Sequence, residues 1–269
     1  MPTTIADPVS AIRRMPPTRS SRWYLPFATG SLLLAAWWLA WSAGAFPTGT
    51  VPSPADVASA FATEAHSGRL LENVISSLYR IAWGYLSATI TAIPLGLVIG
   101  RSVSTRNAIL PWINFFRNLS PIAWIPFAII WFGIGDPPAI FLIFLATFFQ
   151  IVLATAAATG SVPSVYYRVA REMELGSVRV VFEVTFPAIL PQLVIALRVA
   201  AGVAWMVVVA AEMIAVRSGL GFLIVDARNG LRMDLVICGM LVIGLIGVAL
   251  DIVFARLAKI DSVRWGFER

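Results

Sequence analysis

Residues 187–216 and 235–257 are long, predominantly apolar stretches, and they limit the possible folds more than anything else in this sequence. A helix needs about 20 such residues to cross roughly 30 Å of hydrocarbon. Four further stretches, at about 24–46, 74–100, 108–132 and 138–159, bring the reading to six spans. Barrel strands would run about ten residues with apolar and polar residues alternating, and none of these segments does so. Helices, which satisfy their own backbone groups in lipid, are what remains. Composition agrees: with 59% hydrophobic residues, 13% charged residues and a mean hydropathy of +0.83, a 269-residue chain has no polar shell for a soluble core. The expected fold class is an all-α integral membrane protein with six transmembrane helices.

Charge orients the spans. The net charge of +6 and pI near 10.2 would suit nucleic acid in a soluble chain. In a membrane chain they record arginines facing an anionic inner leaflet, so no nucleic-acid partner is expected. Arg13, Arg14, Arg19 and Arg22 precede the first span, whose apolar stretch is too long for a signal peptide and reads as a retained anchor. With the N-terminus inside, Arg101, Arg106, Arg168, Arg171, Arg179, Arg256, Lys259, Arg264 and Arg269 also fall inside, against Arg69, Arg217, Arg228 and Arg232 outside. Both termini are therefore expected in the cytoplasm. The organisation is a cytoplasmic tail at 1–22, a membrane domain at 23–258 and a second cytoplasmic tail at 259–269.

Two connections predict structure. Ser53-Pro54-Ala55-Asp56 offers an N-cap, a proline at the first helical position and a carboxylate three residues after the cap. Val57, Ala58, Phe61, Ala62 and Ala65 then repeat at helical spacing until Gly68, which suits a helix along the outer membrane surface or one packed on the bundle. In the longest inner connection, about 160–186, Ser164 is expected to cap a helix over 165–175 that Gly176 ends. Ser177 is expected to cap a second helix with Val178, Val181, Phe182 and Thr185 on one face. Its charges, Arg168, Arg171, Glu172, Glu174, Arg179 and Glu183, can be a solvated face or a docking surface.

Several chemistries are missing. Cys238 and His66 are each alone in the sequence and cannot assemble an ordinary zinc site. The single lysine, Lys259, lies in no glycine-rich phosphate loop, so ATP hydrolysis is not expected on this chain. An intramembrane enzyme would need a histidine or paired aspartates at depth, and the spans offer chiefly Asp251.

Ionisable residues inside spans mark substrate or ion paths by default. Arg117 falls about nine residues into the third predicted span, roughly 14 Å deep, beside Asn114, Asn118 and Ser120. This is a donor cluster that favours anions, unless neighbouring carbonyls or an acid hold the arginine. Pro121 and Pro126 loosen the backbone there. Glu212, in the outer part of the fifth span, reads as a structural partner of an arginine or as an outer gate. Trp205 and Met206 can line a pore or simply pack, and Gln150 most simply hydrogen-bonds between helices.

Val169-Ala170-Arg171-Glu172-Met173-Glu174-Leu175-Gly176 followed by Phe186-Pro187-Ala188-Ile189-Leu190-Pro191 resembles the cytoplasmic loop of binding-protein-dependent ABC importer permeases. Ser77-Leu78-Tyr79-Arg80, Ile93-Pro94-Leu95-Gly96, Pro121-Ile122-Ala123-Trp124-Ile125-Pro126, Ala210-Ala211-Glu212-Met213-Ile214 and Gly219-Leu220-Gly221-Phe222 strengthen the likeness, toward the nitrate, sulfonate, taurine and bicarbonate branch. One departure is that Ala170-Arg171-Glu172 stands where such loops usually read Glu-Ala-Ala.

The resemblance implies a type I importer permease in a bacterial inner membrane, working as a homodimer. Its partners would be ATPase subunits that carry ATP and Mg, and a periplasmic or lipid-anchored solute-binding protein. Arg168, Arg171, Glu172, Glu174, Leu175 and Gly176 would couple to the ATPase, with Gly176 at positive φ. The path would involve Asn114, Arg117, Asn118, Ser120, Trp205, Met206 and Glu212. A secondary anion transporter or channel is the alternative.

Overall fold

The computed structural model describes residues 24–47 and 49–257; the predicted tails, 1–22 and 259–269, lie outside the described residues. Among the described residues the regular structure is entirely helical. The chain divides into two units at residue 48. The first holds α1 (Leu25–Ser42), which buries none of its residues and exposes Leu32, Leu33, Leu34 and Trp38.

The second unit begins with α2 (Pro54–His66), where the predicted cap forms in full: the Ser53 Oγ accepts from the Asp56 N–H at 3.1 Å and the Asp56 carboxylate accepts from the Ser53 N–H at 3.0 Å. The packed face is Val57, Ala60 and Glu64, with Ala60 against Ala227 and Leu235, while Ala58, Phe61, Ala62 and Ala65 stay exposed. The helix thus packs on the bundle along a face one position away from the predicted stripe. Gly68, at φ 79°, turns the chain into α3 (Arg69–Arg101).

α3 and α6 (Asp136–Gly160) form the centre of this unit. Gly84, Ala88, Ala92, Gly96 and Gly100 recur every four residues on the buried face of α3, so the two backbones approach closely. A Cβ at Gly96 would fall 2.5 Å from the Thr155 Cβ and 2.9 Å from the Val152 carbonyl. Around this seam Ile99, Ile113, Ile151, Val152 and Ala200 close a core.

The third predicted span is not one straight helix. It divides into α4 (Val103–Arg117), a 3₁₀ turn (Pro121–Trp124) and α5 (Ile125–Phe132), with an 84° bend. Pro121 disfavours the helical region for Ser120, which sits at φ −58°, ψ 129°, and α4 stops before it. Five helices are individually long and apolar enough to span, and the bent pair makes a sixth.

After α6 the elbow helix α7 (Ser164–Glu172) leads into α8 (Ser177–Ala215), which contains a π turn over Val180–Thr185. Neither serine caps: Pro163 and Gly176 occupy the N-cap positions, and Ser164 and Ser177 are the first helical residues. The π turn also splits the predicted second face, burying Val180 and Thr185 while Val178 and Phe182 stay exposed. α9 (Leu220–Asn229) and α10 (Met233–Leu257) complete the described residues.

Candidate functional site

At the end of the bundle that carries α2 and α9, Arg80 is 1% exposed and every guanidinium nitrogen has an oxygen partner. Its Nε donates to Asp136 at 2.8 Å, and its Nη1 donates to Glu212 at 2.6 Å and to the Ser218 carbonyl at 2.9 Å. Its Nη2 meets Asp136 at 2.7 Å and the Ser218 hydroxyl. Glu212, fully buried, also accepts from the Ser77 hydroxyl at 2.9 Å and the Gly221 N–H at 3.0 Å. Gly219, at φ 101°, lies against the Glu212 carboxylate where a Cβ would not fit. A charge group of this kind, with partners on every donor of Arg80, holds α3, α6, α8 and α9 together. Of the two roles expected for Glu212, partner of an arginine is the one the contacts show.

Sequence reasoning assigns Arg80 no role. The signal was available: it is the only basic residue within 74–100, and a buried arginine requires an acid.

At mid-height of α6 a cavity of about 370 Å³ opens where the third span breaks. Arg117, Asn118 and Gln150 line it, with Phe116, Phe149, Val203 and Val207 among its apolar walls and no carboxylate among the described residues. Gln150 is fourteen residues from the start of α6 and ten from its end, about 21 and 15 Å along the axis. The cavity is therefore deep in the spanning region, although Arg117 reaches that depth as the last residue of α4 and not from the middle of a straight helix. Its position at a helix C-terminus favours its positive charge. Among the described residues the Arg117 guanidinium has no carboxylate or carbonyl partner, so its side-chain donors are open to a ligand.

The remaining predicted residues separate from this cavity. Asn118 Nδ2 donates to the Asn114 carbonyl at 2.8 Å, and the half-buried Asn114 and exposed Ser120 do not line the cavity. Trp205 is buried and its indole donates to the Ile243 carbonyl at 3.1 Å, packing α8 on α10 away from the cavity lining. Met206 points outward at 73% exposure. Gln150, expected to bond between helices, forms no such bond among the described residues and faces the cavity with Arg117.

At the opposite end, α7 closes with Leu175 N–H on the Ala170 carbonyl and Glu174 N–H on the Arg171 carbonyl, both at 3.0 Å. Such a closure requires a left-handed residue, and that residue is Glu174 at φ 53°. Gly176 is extended at φ −62°, ψ 153°, which corrects the role given to it: the reversal is made two residues earlier. Arg168, Arg171, Glu172 and Glu174 are exposed, Leu175 is half-buried, and Val169 and Met173 present an apolar surface among them.

Residues 92–261 match the family model described as binding-protein-dependent transport system inner membrane component. The chain belongs to that family. This permease is 33% identical over 240 residues to the taurine transport system permease protein TauC of Escherichia coli, covering 87% of each chain. It is 35% identical to the nitrate import permease protein NrtB of Leptolyngbya laminosa, over 71% of this chain and 68% of that one. The putative aliphatic sulfonates transport permease protein SsuC of Bacillus subtilis is 28% identical over 98% of this chain and 95% of its own. Its fold resembles that of the MetNI methionine ABC transporter in an inward facing conformation, at TM-score 0.64 and 16% identity, over 71% of this chain and 94% of that one. The permease is thus a multi-pass membrane component of an ABC importer in the nitrate, sulfonate and taurine branch.

Proposed function

We propose that this permease passes a small anion, such as nitrate, bicarbonate, a sulfonate or taurine, along a route that includes the cavity at the break in the third span. The observation that carries the reading is the acid-free lining of that cavity, with Arg117, Asn118 and Gln150 as donors. An anion that loses hydration in a low-dielectric passage needs replaceable donors, and a carboxylate there would repel it. The relatives named for taurine, nitrate and aliphatic sulfonates favour this substrate class.

In this reading two copies form the passage in a bacterial inner membrane, with both termini in the cytoplasm. ATP and Mg are bound by separate ATPase subunits, which the exposed face of α7, with Arg168, Glu172 and Glu174, engages. A solute-binding protein, periplasmic or lipid-anchored, delivers the substrate to the other side.

The test is uptake of labelled nitrate, bicarbonate, taurine and an alkanesulfonate by membranes carrying the whole importer, normalised to folded, inserted permease. Arg117→Gln and Gln150→Leu should each lower uptake of the transported anion by about tenfold, the effect of losing one hydrogen bond to a partly dehydrated anion. ATPase association should persist. Unchanged normalised uptake in both variants would remove the cavity from the route.

A further inference from the structure

A second cavity, of about 600 Å³, lies at the elbow end between α7 and the ends of the spanning helices. Arg101 from the end of α3, Arg106 from the first turn of α4 and Arg171 from α7 line it, and among the described residues its lining contains no acid. Ser164, the first residue of the nine-residue α7, and Ser177, the first of α8, also face it, and neither helix start has a side-chain cap.

Capping of helix ends accounts for part of this arrangement. Arg106 Nη2 donates to the Gly100 carbonyl at 3.2 Å, and the guanidinium lies over Gly160, where a Cβ would come within 3.1 Å of it. Arg101 Nη1 donates to the Ser177 carbonyl at 3.4 Å. A guanidinium carries five N–H donors. These two contacts leave most of them unused, and the Arg171 guanidinium has no hydrogen bond or ion pair among the described residues. Three like charges gathered around one space without a carboxylate repel one another unless an anion joins them. Planar guanidinium forks match phosphate oxygens bidentately, and an uncapped helix start adds backbone N–H groups of the same preference.

We infer that this cavity binds a phosphate group, held by Arg101, Arg106 and Arg171 between the elbow and the bundle. Two sources present that chemistry: the headgroup of an anionic phospholipid, since the cavity sits where spanning helices end, and a soluble phosphate. The site is separate from the mid-height cavity, and its occupancy would brace α7 against α3 and α4.

The test uses the full chain in phosphatidylcholine nanodiscs. One arm adds phosphatidylglycerol and counts retained lipid by native mass spectrometry; the other measures binding of labelled inorganic phosphate by equilibrium dialysis. Arg106→Gln and Arg101→Gln should weaken binding about tenfold or more in whichever arm is positive, as expected for a lost charge-assisted contact. Arg106→Lys, which keeps the charge and serves if the glutamine variants fold poorly, should weaken it less. Arg228→Gln at the other end of the bundle should leave it unchanged. Binding in the lipid arm alone identifies a headgroup site, and binding of phosphate alone a soluble-anion site. Failure in both arms, or binding indifferent to Arg101 and Arg106, overturns the inference; neither result depends on uptake.

Discussion

Arg80 and Glu212 stand 132 residues apart in sequence and meet at 2.6 Å in the interior, joining the second spanning helix to the end of α8. Both side chains are almost fully buried: Arg80 is 1% exposed and Glu212 0%. Removing one partner strands the other. Arg80→Ala or Glu212→Ala should therefore lower stability by about 3–5 kcal/mol, more than an apolar replacement of both, Arg80→Met with Glu212→Leu. Denaturant unfolding in micelles measures this; single variants as stable as the parent would show that the pair contributes little.

The α3–α6 seam predicts a different sensitivity. A Cβ at Gly96 meets Thr155 and the Val152 carbonyl, whereas at Gly202 it meets nothing within 4 Å. Gly96→Ala should cost about 1–3 kcal/mol through overpacking, while Gly202→Ala should be neutral or stabilising. Thermal unfolding of both variants in one detergent makes the comparison, and equal melting temperatures would contradict the packing described here.

At the elbow, the strained residue is Glu174 and not Gly176. Glu174→Gly should stabilise the end of α7 by about 1 kcal/mol because the left-handed conformation disfavours a residue with a Cβ. Gly176→Ala should fold normally, since its backbone is extended and the added methyl meets open space. Hydrogen exchange of the Glu174 and Leu175 amides reports on the first. A Gly176→Ala protein that fails to fold would restore the glycine to the turn.

The proposed orientation is open to cysteine labelling in a Cys238→Ala background. Ser177→Cys should react with an impermeant reagent from the cytoplasmic side and Leu231→Cys, at 82% exposure, from the opposite side. Ser218 is a poor probe because its hydroxyl and carbonyl both serve Arg80. Reversed reactivity would invert the topology.

The sequence by itself determined the fold class, the approximate positions of the spans, the cap at Ser53 and the family. Each rests on local pattern: apolar length, a cap four residues long, or motifs contiguous along the chain. Arg117 and Asn118 were legible for the same reason, as neighbours in sequence. Tertiary structure decided what depended on partners far along the chain. It gave Arg80 its acids from α6 and α8, turned Gln150 from an interhelical tie to a cavity wall, and put Trp205 in packing with α10. It also decided where the backbone bends. Proline at 121 marks a break, but the 84° turn depends on how α4 and α5 pack, and the left-handed residue fell on Glu174 because the α7 closure fixes that register. Propensity is a weak local preference, whereas burying a charge or closing a helix end against the bundle involves larger energies and selects the geometry.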